Sequence, residues 1–285
     1  MINKSTFRLF DSHSHLQDKR LEPNRSSLID ECMAQGVVGT VINATCPDDW
    51  PRIAELAQQY PNLIPSFGVH PWYINTVPDN WRESLIKFLD QIPSAIGEVG
   101  IDGWRKEFNP EVQERIFTSQ VQIAAERNLP LSIHGLRKWG RLLEILSHGP
   151  RPDCGFLLHS YGGPLDMIAP FTKLGAYFSC PGFFLQAGRE MKLAIFKDVP
   201  SERLLLETDA PDQNLPEELD HYRLHDLSTG SRINHPANIS AVYRGVAALR
   251  KTPLEQLAEQ VEANFRALFA NVITRQSRHD DTSKG

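Results

Sequence analysis

The side chains able to grip a divalent cation recur along this 285-residue chain in a definite order. The first group is Asp11-Ser12-His13-Ser14-His15. If this stretch is extended, residues two apart face the same side, so His13 and His15 aim two imidazoles at one point. That is a common start of a Zn²⁺-type site. Glu98, His134, His159 and Asp209 follow. Taken singly, each has a plainer reading: a chance His-x-His, a structural carboxylate at Glu98, core histidines at His134 and His159, a turn cap at Asp209. Taken together they count as two sites. His13, His15 and Asp209 would hold one cation and His134 and His159 a second, with Glu98 bridging ions about 3.5–4 Å apart. Imidazole and carboxylate without thiolate suit Zn²⁺, Mn²⁺ or Mg²⁺. Water between such ions ionises near neutral pH and becomes a nucleophile. Asp209 and Glu98 are the candidate catalytic carboxylates, Asp209 either relaying the water's proton to the leaving group or serving as a ligand only.

Something must bring residues so far apart in sequence together. Short apolar runs occupy residues 7–13, 37–45, 63–71, 94–102, 130–135, 154–160, 176–180 and 203–211. Near-continuous apolar runs of this length suit parallel strands covered on both faces. Between them lie stretches of helical length at 24–35, 48–60, 79–91, 110–128, 137–148, 164–174 and 186–197. Two more helices, 236–249 and 253–269, are divided by Thr252-Pro253. The pattern predicts an α/β fold, a (β/α)8 TIM-type barrel in a single domain over residues 1–274, with 275–285 a disordered C-terminal tail. The patternless stretch 212–235 reads as a loop over the barrel mouth. An open doubly wound sheet is the main alternative, but no GxGxxG or GxxxxGK[ST] follows any run. All six ligand candidates fall at predicted strand ends, where barrels build their active sites.

Composition removes other classes. Hydrophobic residues make up 41% and charged residues 23%, enough apolar material for a core. No apolar run reaches the ~18–20 residues that span a bilayer, so no membrane partner is expected. The N-terminus has no long apolar segment, so no signal peptide is expected. Cys32, Cys46, Cys154 and Cys180 are scattered without a CxxC and read as reduced thiols of a cytoplasmic protein. A net charge of −5 argues against a nucleic-acid-coating role, but not against an enzyme with a local basic patch.

The ordered set DSHSHL, GVHPW, GEVGID, LSIHG, LLHSYGG, LLLETDAP and NFRALF resembles the TatD family of metal-dependent deoxyribonucleases, a branch of the amidohydrolase-like barrels. The resemblance spans nearly the whole chain. It implies a TIM-type barrel, a divalent metal centre and hydrolysis of DNA phosphodiester bonds, often exonucleolytic from the 3′ end; the expected partner is DNA, as single strands or 3′ ends. It carries metal ligation onto His13, His15, Glu98, His134, His159 and Asp209. It also implies that His70, in GVHP, faces the site and contacts a substrate phosphate, the alternative being a bond to a neighbouring loop. Glu207, two residues before Asp209, points the same way and either orients a ligand or forms a structural ion pair. The chain departs from the family in substrate-facing loops: GIDGW for GLDY, HGLRKWG for HxRxA, HSYGG for HCFSG.

Arg105, Lys106, Arg137, Lys138 and Arg141 cluster after the fourth and fifth strands, with Trp104 and Trp139 among them. Such a mix holds phosphates and stacks bases, or is a solvated helix face with tryptophans packed on the rim. Arg137 is the phosphate-binding candidate. A metal-dependent amide, lactone or deamination hydrolase is the alternative enzyme. Many binuclear relatives of that kind bridge their metals with a carbamylated lysine at the fourth strand, where this chain has Glu98. A non-catalytic barrel would be expected to have lost ligands first.

Overall fold

A computed structural model describes residues 7–282. The stretch expected to lack an export signal begins in residues 1–6, and the expected tail ends in 283–285; both lie outside the described residues. In chain order the main elements are β1 (Leu9–Ser14), α1 (Arg25–Ala34), β2 (Val37–Asn43), α2 (Trp50–Gln59), β3 (Leu63–Ser66), α3 (Trp81–Gln91), β4 (Ile96–Asp102), α4 (Pro110–Arg127) and β5 (Leu131–Leu136). There follow α5 (Trp139–His148), β6 (Phe156–Leu158), α6 (Ile168–Lys173), β7 (Ala176–Pro181), α7 (Glu190–Ile195), β8 (Leu204–Glu207), β9 (Leu224–His225), β10 (Arg232–Ile233), α8 (Ile239–Arg250), α9 (Leu254–Leu268) and α10 (Ala270–Thr282). Through β8 this is the strand–helix alternation that the apolar runs predict.

The described residues form two compact units, one of the chain up to Ile42 with Phe178–Phe265, the other of Asn43–Tyr177 with the chain from Arg266. In the first unit β1 pairs in parallel with β2, and β7 with β8. β8 also lies beside β1: Ser12 Oγ donates to the Leu206 carbonyl at 2.9 Å. Past the strand ends, Asp209 N donates to His13 O at 3.0 Å and His15 N to Ala210 O at 2.7 Å. The order is therefore β7-β8-β1-β2, with the first and last strands side by side, as a (β/α)8 order requires. In the second unit β3 and β4 meet at a parallel Ser66–Ala95 bridge, and β4-β5 and β5-β6 are parallel.

β1, β4, β7 and β8 are buried along their whole length. That accounts for the absence of polar alternation in their sequences. The helices show why the strand ends are well fixed. Asn109 caps α4 by accepting from Glu111 N at 2.8 Å, and Pro110 occupies its first turn. This helix carries two buried amides. Gln113 Oε1 accepts from Asp102 N at 2.8 Å, at the end of β4. Gln120 accepts from Val69 N at 2.8 Å and donates to Val69 O at 3.2 Å, beside His70.

Three boundaries differ from the sequence expectation. The third run ends as a strand at Ser66, and the chain on to His70 is held instead by Gln120 and by His70 N donating to Thr45 O at 2.9 Å. The stretch 212–235 contains the hairpin β9–β10, with Asp226 accepting from Ser228 N at 2.8 Å in its turn. Two residues per strand are too few to leave a periodic signal. The segment from 275, expected to be disordered, is helical as far as Thr282. Among the described residues no helix is long and apolar enough to cross a membrane.

Candidate metal sites

Three of the six ligand candidates come together in the first unit. His13 Nε2 and His15 Nε2 lie 3.2 Å apart. Asp209 Oδ1 is 3.2 Å from His15 Nε2 and 3.6 Å from His13 Nε2. All three residues are buried. Atoms bound about 2.0–2.1 Å from a common cation lie about 3–3.4 Å from one another, so the spacing fits a divalent ion.

Backbone and neighbouring side chains aim this set. Asp209 has φ 55°, in the left-handed region that a non-glycine residue enters at a cost. Its N–H bond to His13 O and the Gln213 Nε2 bond to its Oδ2, at 2.6 Å, hold it there and leave Oδ1 towards the imidazoles. Asp11, on the same side of β1 as His13, accepts from Thr208 Oγ1 at 2.5 Å, from Thr208 N at 3.0 Å and from His13 N at 3.3 Å. Burial pushes Asp11 up to about 8, against the lowering pull of these bonds. Glu207 is fully buried, accepts from Ser179 Oγ, and brings a carboxylate oxygen within 4.8 Å of a His13 ring nitrogen.

The other three candidates come together in the second unit, with a fourth histidine. Glu98 Oε1 lies 2.9 Å from His159 Nε2, 3.1 Å from His134 Nδ1 and 3.3 Å from His70 Nε2. His159 Nε2 and His134 Nδ1 are 3.4 Å apart. Glycines permit this approach. A Cβ on Gly97 would stand 2.7 Å from Ser66 Oγ and 2.8 Å from Ser132 Cβ. Gly100 has φ +150°, and a Cβ there would collide with the His134 carbonyl.

Hydrogen bonds assign roles among the histidines. His134 Nε2 is 3.0 Å from Asp102 Oδ2, so that nitrogen carries the proton and Nδ1 faces Glu98. His70 Nδ1 accepts from Trp72 N at 3.1 Å, which puts the proton of its neutral ring on Nε2, facing Glu98. His70 is thereby an N–H donor in the site, while His134 offers a lone pair for a cation. Burial lowers the His70 pKa to about 4, although Glu98 pulls it upward. Burial also opposes charge on His134, but its bonds to Asp102 and Glu98 outweigh it and raise the pKa. The site thus favours positive charge where a cation would sit, and a metal ion would displace that proton. Asp102 is lowered to about 2: burial pushes it up, and bonds from His134, Trp104 N and Trp72 more than offset that.

Asp102 and Trp72 carry no role in the sequence reading. The signal for Asp102 was present: in β4 it is the second alternate residue after Glu98, on the same side. Of the remaining candidates, Arg137 is exposed, three residues after His134, with φ 58°. Trp139 is buried and packs edge-on to Tyr161, with ring centroids 4.7 Å apart. It is a core residue.

A family profile described as TatD related DNase matches residues 10–270. The chain belongs to that family. It is 29% identical over 267 residues to the 3′-5′ ssDNA/RNA exonuclease TatD of Salmonella typhimurium, covering 93% of this chain and all of that protein. With the Escherichia coli K12 protein of the same name it shares 29% over 263 residues, covering 92% and 98%. The crystal structure of YJJV, a TatD homolog from Escherichia coli K12, superposes with TM-score 0.83 at 25% identity, covering 92% of this chain and 98% of that one. A TatD family hydrolase from Entamoeba histolytica gives 0.79 at 20%, a likeness of fold. The fold class is α/β, of the (β/α)8 TIM-barrel type, and the chain is a TatD-like nuclease, a hydrolase of phosphodiester bonds.

Proposed function

We propose that this protein is a divalent-metal-dependent 3′–5′ exonuclease acting on single-stranded DNA. The observation that carries the reading is the Glu98 oxygen within 3.3 Å of three imidazole nitrogens, with Asp102 buttressing His134. Support for the substrate comes from relatives described as 3′-5′ ssDNA/RNA exonucleases. Two cations, Mg²⁺, Mn²⁺ or Zn²⁺, are assigned: one to His13, His15 and Asp209, the other to Glu98, His134 and His159. When bound, such ions polarise a phosphoryl oxygen and make water a nucleophile at neutral pH.

The residues of the chain do the rest. In this reading Asp209 takes a proton from the attacking water and returns it to the leaving 3′ oxygen. Asp11, Thr208 and Gln213 hold it in that orientation. Neutral His70 offers its Nε2–H to a non-bridging oxygen of the scissile phosphate, and Glu98 keeps that N–H directed. Glu207, with a carboxylate oxygen within 4.8 Å of a His13 ring nitrogen, orients His13. Arg137, exposed beyond β5, meets a neighbouring phosphate. The four cysteines are free thiols, which suits a reducing cytoplasm.

A metal-supplemented screen tests the proposal: single-stranded DNA, abasic DNA, RNA, and a panel of amides and lactones. Turnover of single-stranded DNA with Mg²⁺ or Mn²⁺ is expected. Turnover of amides or lactones alone would replace this reading with the other hydrolase class.

A further inference from the structure

Asp102 does more than hold His134. Its Oδ2 also accepts from Trp72 Nε1 at 2.8 Å, and its Oδ1 accepts from Trp104 N at 2.6 Å and Arg105 N at 3.3 Å. One carboxylate thus holds a candidate metal ligand, the Trp72 indole and the Trp104 backbone in one frame. Trp72 lies with its ring centroid 6.3 Å from His134 and 6.3 Å from Trp104. The Arg105 guanidinium sits 4.9 Å from the Trp72 centroid and backs it. Trp104 is different. It is 53% exposed, although its backbone is pinned beside the site. Exposed Lys138 runs its chain beside Gly103, where a Cβ would stand 2.9 Å from its Cγ, and exposed Lys106 follows two residues after Trp104; Arg105 is itself paired with Glu107 at 2.7 Å. A solvent-facing indole on a pinned backbone, beside a second indole and basic side chains, is the arrangement that binds an unstacked base beside its phosphate.

We propose that Trp104, supported by Trp72 and Arg105, is the stacking platform for a nucleobase adjacent to the cleaved phosphodiester. This rests on the nuclease reading and deepens it. Every base offers a π-face, so the platform selects no sequence, but it does require a base free of its duplex neighbours. It therefore gives the site its preference for single strands and frayed ends.

The test is a binding measurement in EDTA, where hydrolysis cannot interfere. Fluorescence anisotropy compares a short labelled oligothymidylate with the same strand made abasic at its 3′ end. Wild type is expected to bind the thymidylate about tenfold tighter or more. Trp104→Ala is expected to lose that difference while binding the abasic strand as wild type does, and Trp104→Phe to keep most of it. Equal binding of the two strands by wild type, or undiminished base preference in Trp104→Ala, overturns the proposal. Failure of the nuclease reading shows separately, as absence of hydrolysis by metal-loaded wild type, and leaves the anisotropy result to decide the platform.

Discussion

At the scale of single residues, the site depends on which atom of each ring carries the proton. Trp72 N fixes His70 as a donor, and Asp102 fixes His134 with Nδ1 forward. Asp102→Asn loses the charge that stabilises this orientation. We expect Mn²⁺ or Zn²⁺ affinity, measured by titration calorimetry on stripped protein, to fall about 10–100-fold. Thermal stability should change little by comparison. Glu98→Gln keeps the shape and removes the charge facing three imidazoles. Turnover of single-stranded DNA should drop by at least about 100-fold with the fold intact by circular dichroism. Near-normal turnover would remove Glu98 from the catalytic account. The six ligand candidates were legible in the sequence because each is a chemically distinctive side chain at a strand end. Asp102 carried the alternation signal from Glu98, but an aspartate ending a strand also reads as a turn cap. Only its 3.0 Å approach to His134 separates the two.

At the scale of elements, strand order and most helix positions followed from apolar runs and proline punctuation. What escaped was structure made by side-chain bonds rather than by pattern. The path from Ser66 to His70 is set by Gln120, and the β9–β10 hairpin by two-residue strands. Close strand approach is also invisible in a pattern but visible in a glycine. Gly100→Ala places a Cβ against the His134 carbonyl at φ +150°. We expect a loss of about 2 kcal/mol or more in urea unfolding, with metal affinity lost alongside.

A second element-level prediction concerns the turn that precedes α8. Buried His235 accepts from Ala237 N at 3.0 Å, and burial lowers its pKa to about 4, outweighing the half-exposed Glu31 carboxylate 3.4 Å from its Nε2. Between about pH 6.5 and 4 the unfolded chain takes a proton there that the folded chain refuses. Stability therefore falls as pH drops through this window, by up to on the order of 3 kcal/mol from this residue. His235→Asn keeps an acceptor for the cap and removes the titration. Urea midpoints between pH 7 and 4 should show a flatter acid limb in the variant. An unchanged limb would mean that His235 does not stay neutral in the folded state.

At the scale of the whole molecule, a chain with net charge −5 has to attract a polyanion. On the proposed reading, divalent cations and a few local arginines and lysines supply what overall charge does not. In that reading metal is central to the chemistry, and basic and aromatic side chains carry part of the binding. It also explains why composition excluded a coating protein without pointing to an enzyme. The most direct test uses a 5′-labelled single-stranded oligonucleotide and chelator-stripped protein, back-titrated with Mn²⁺ or Mg²⁺. The account predicts no cleavage without metal and a ladder shortening stepwise from the 3′ end as metal is restored. Cleavage that persists in chelator, or an intact strand at every metal concentration, would contradict it.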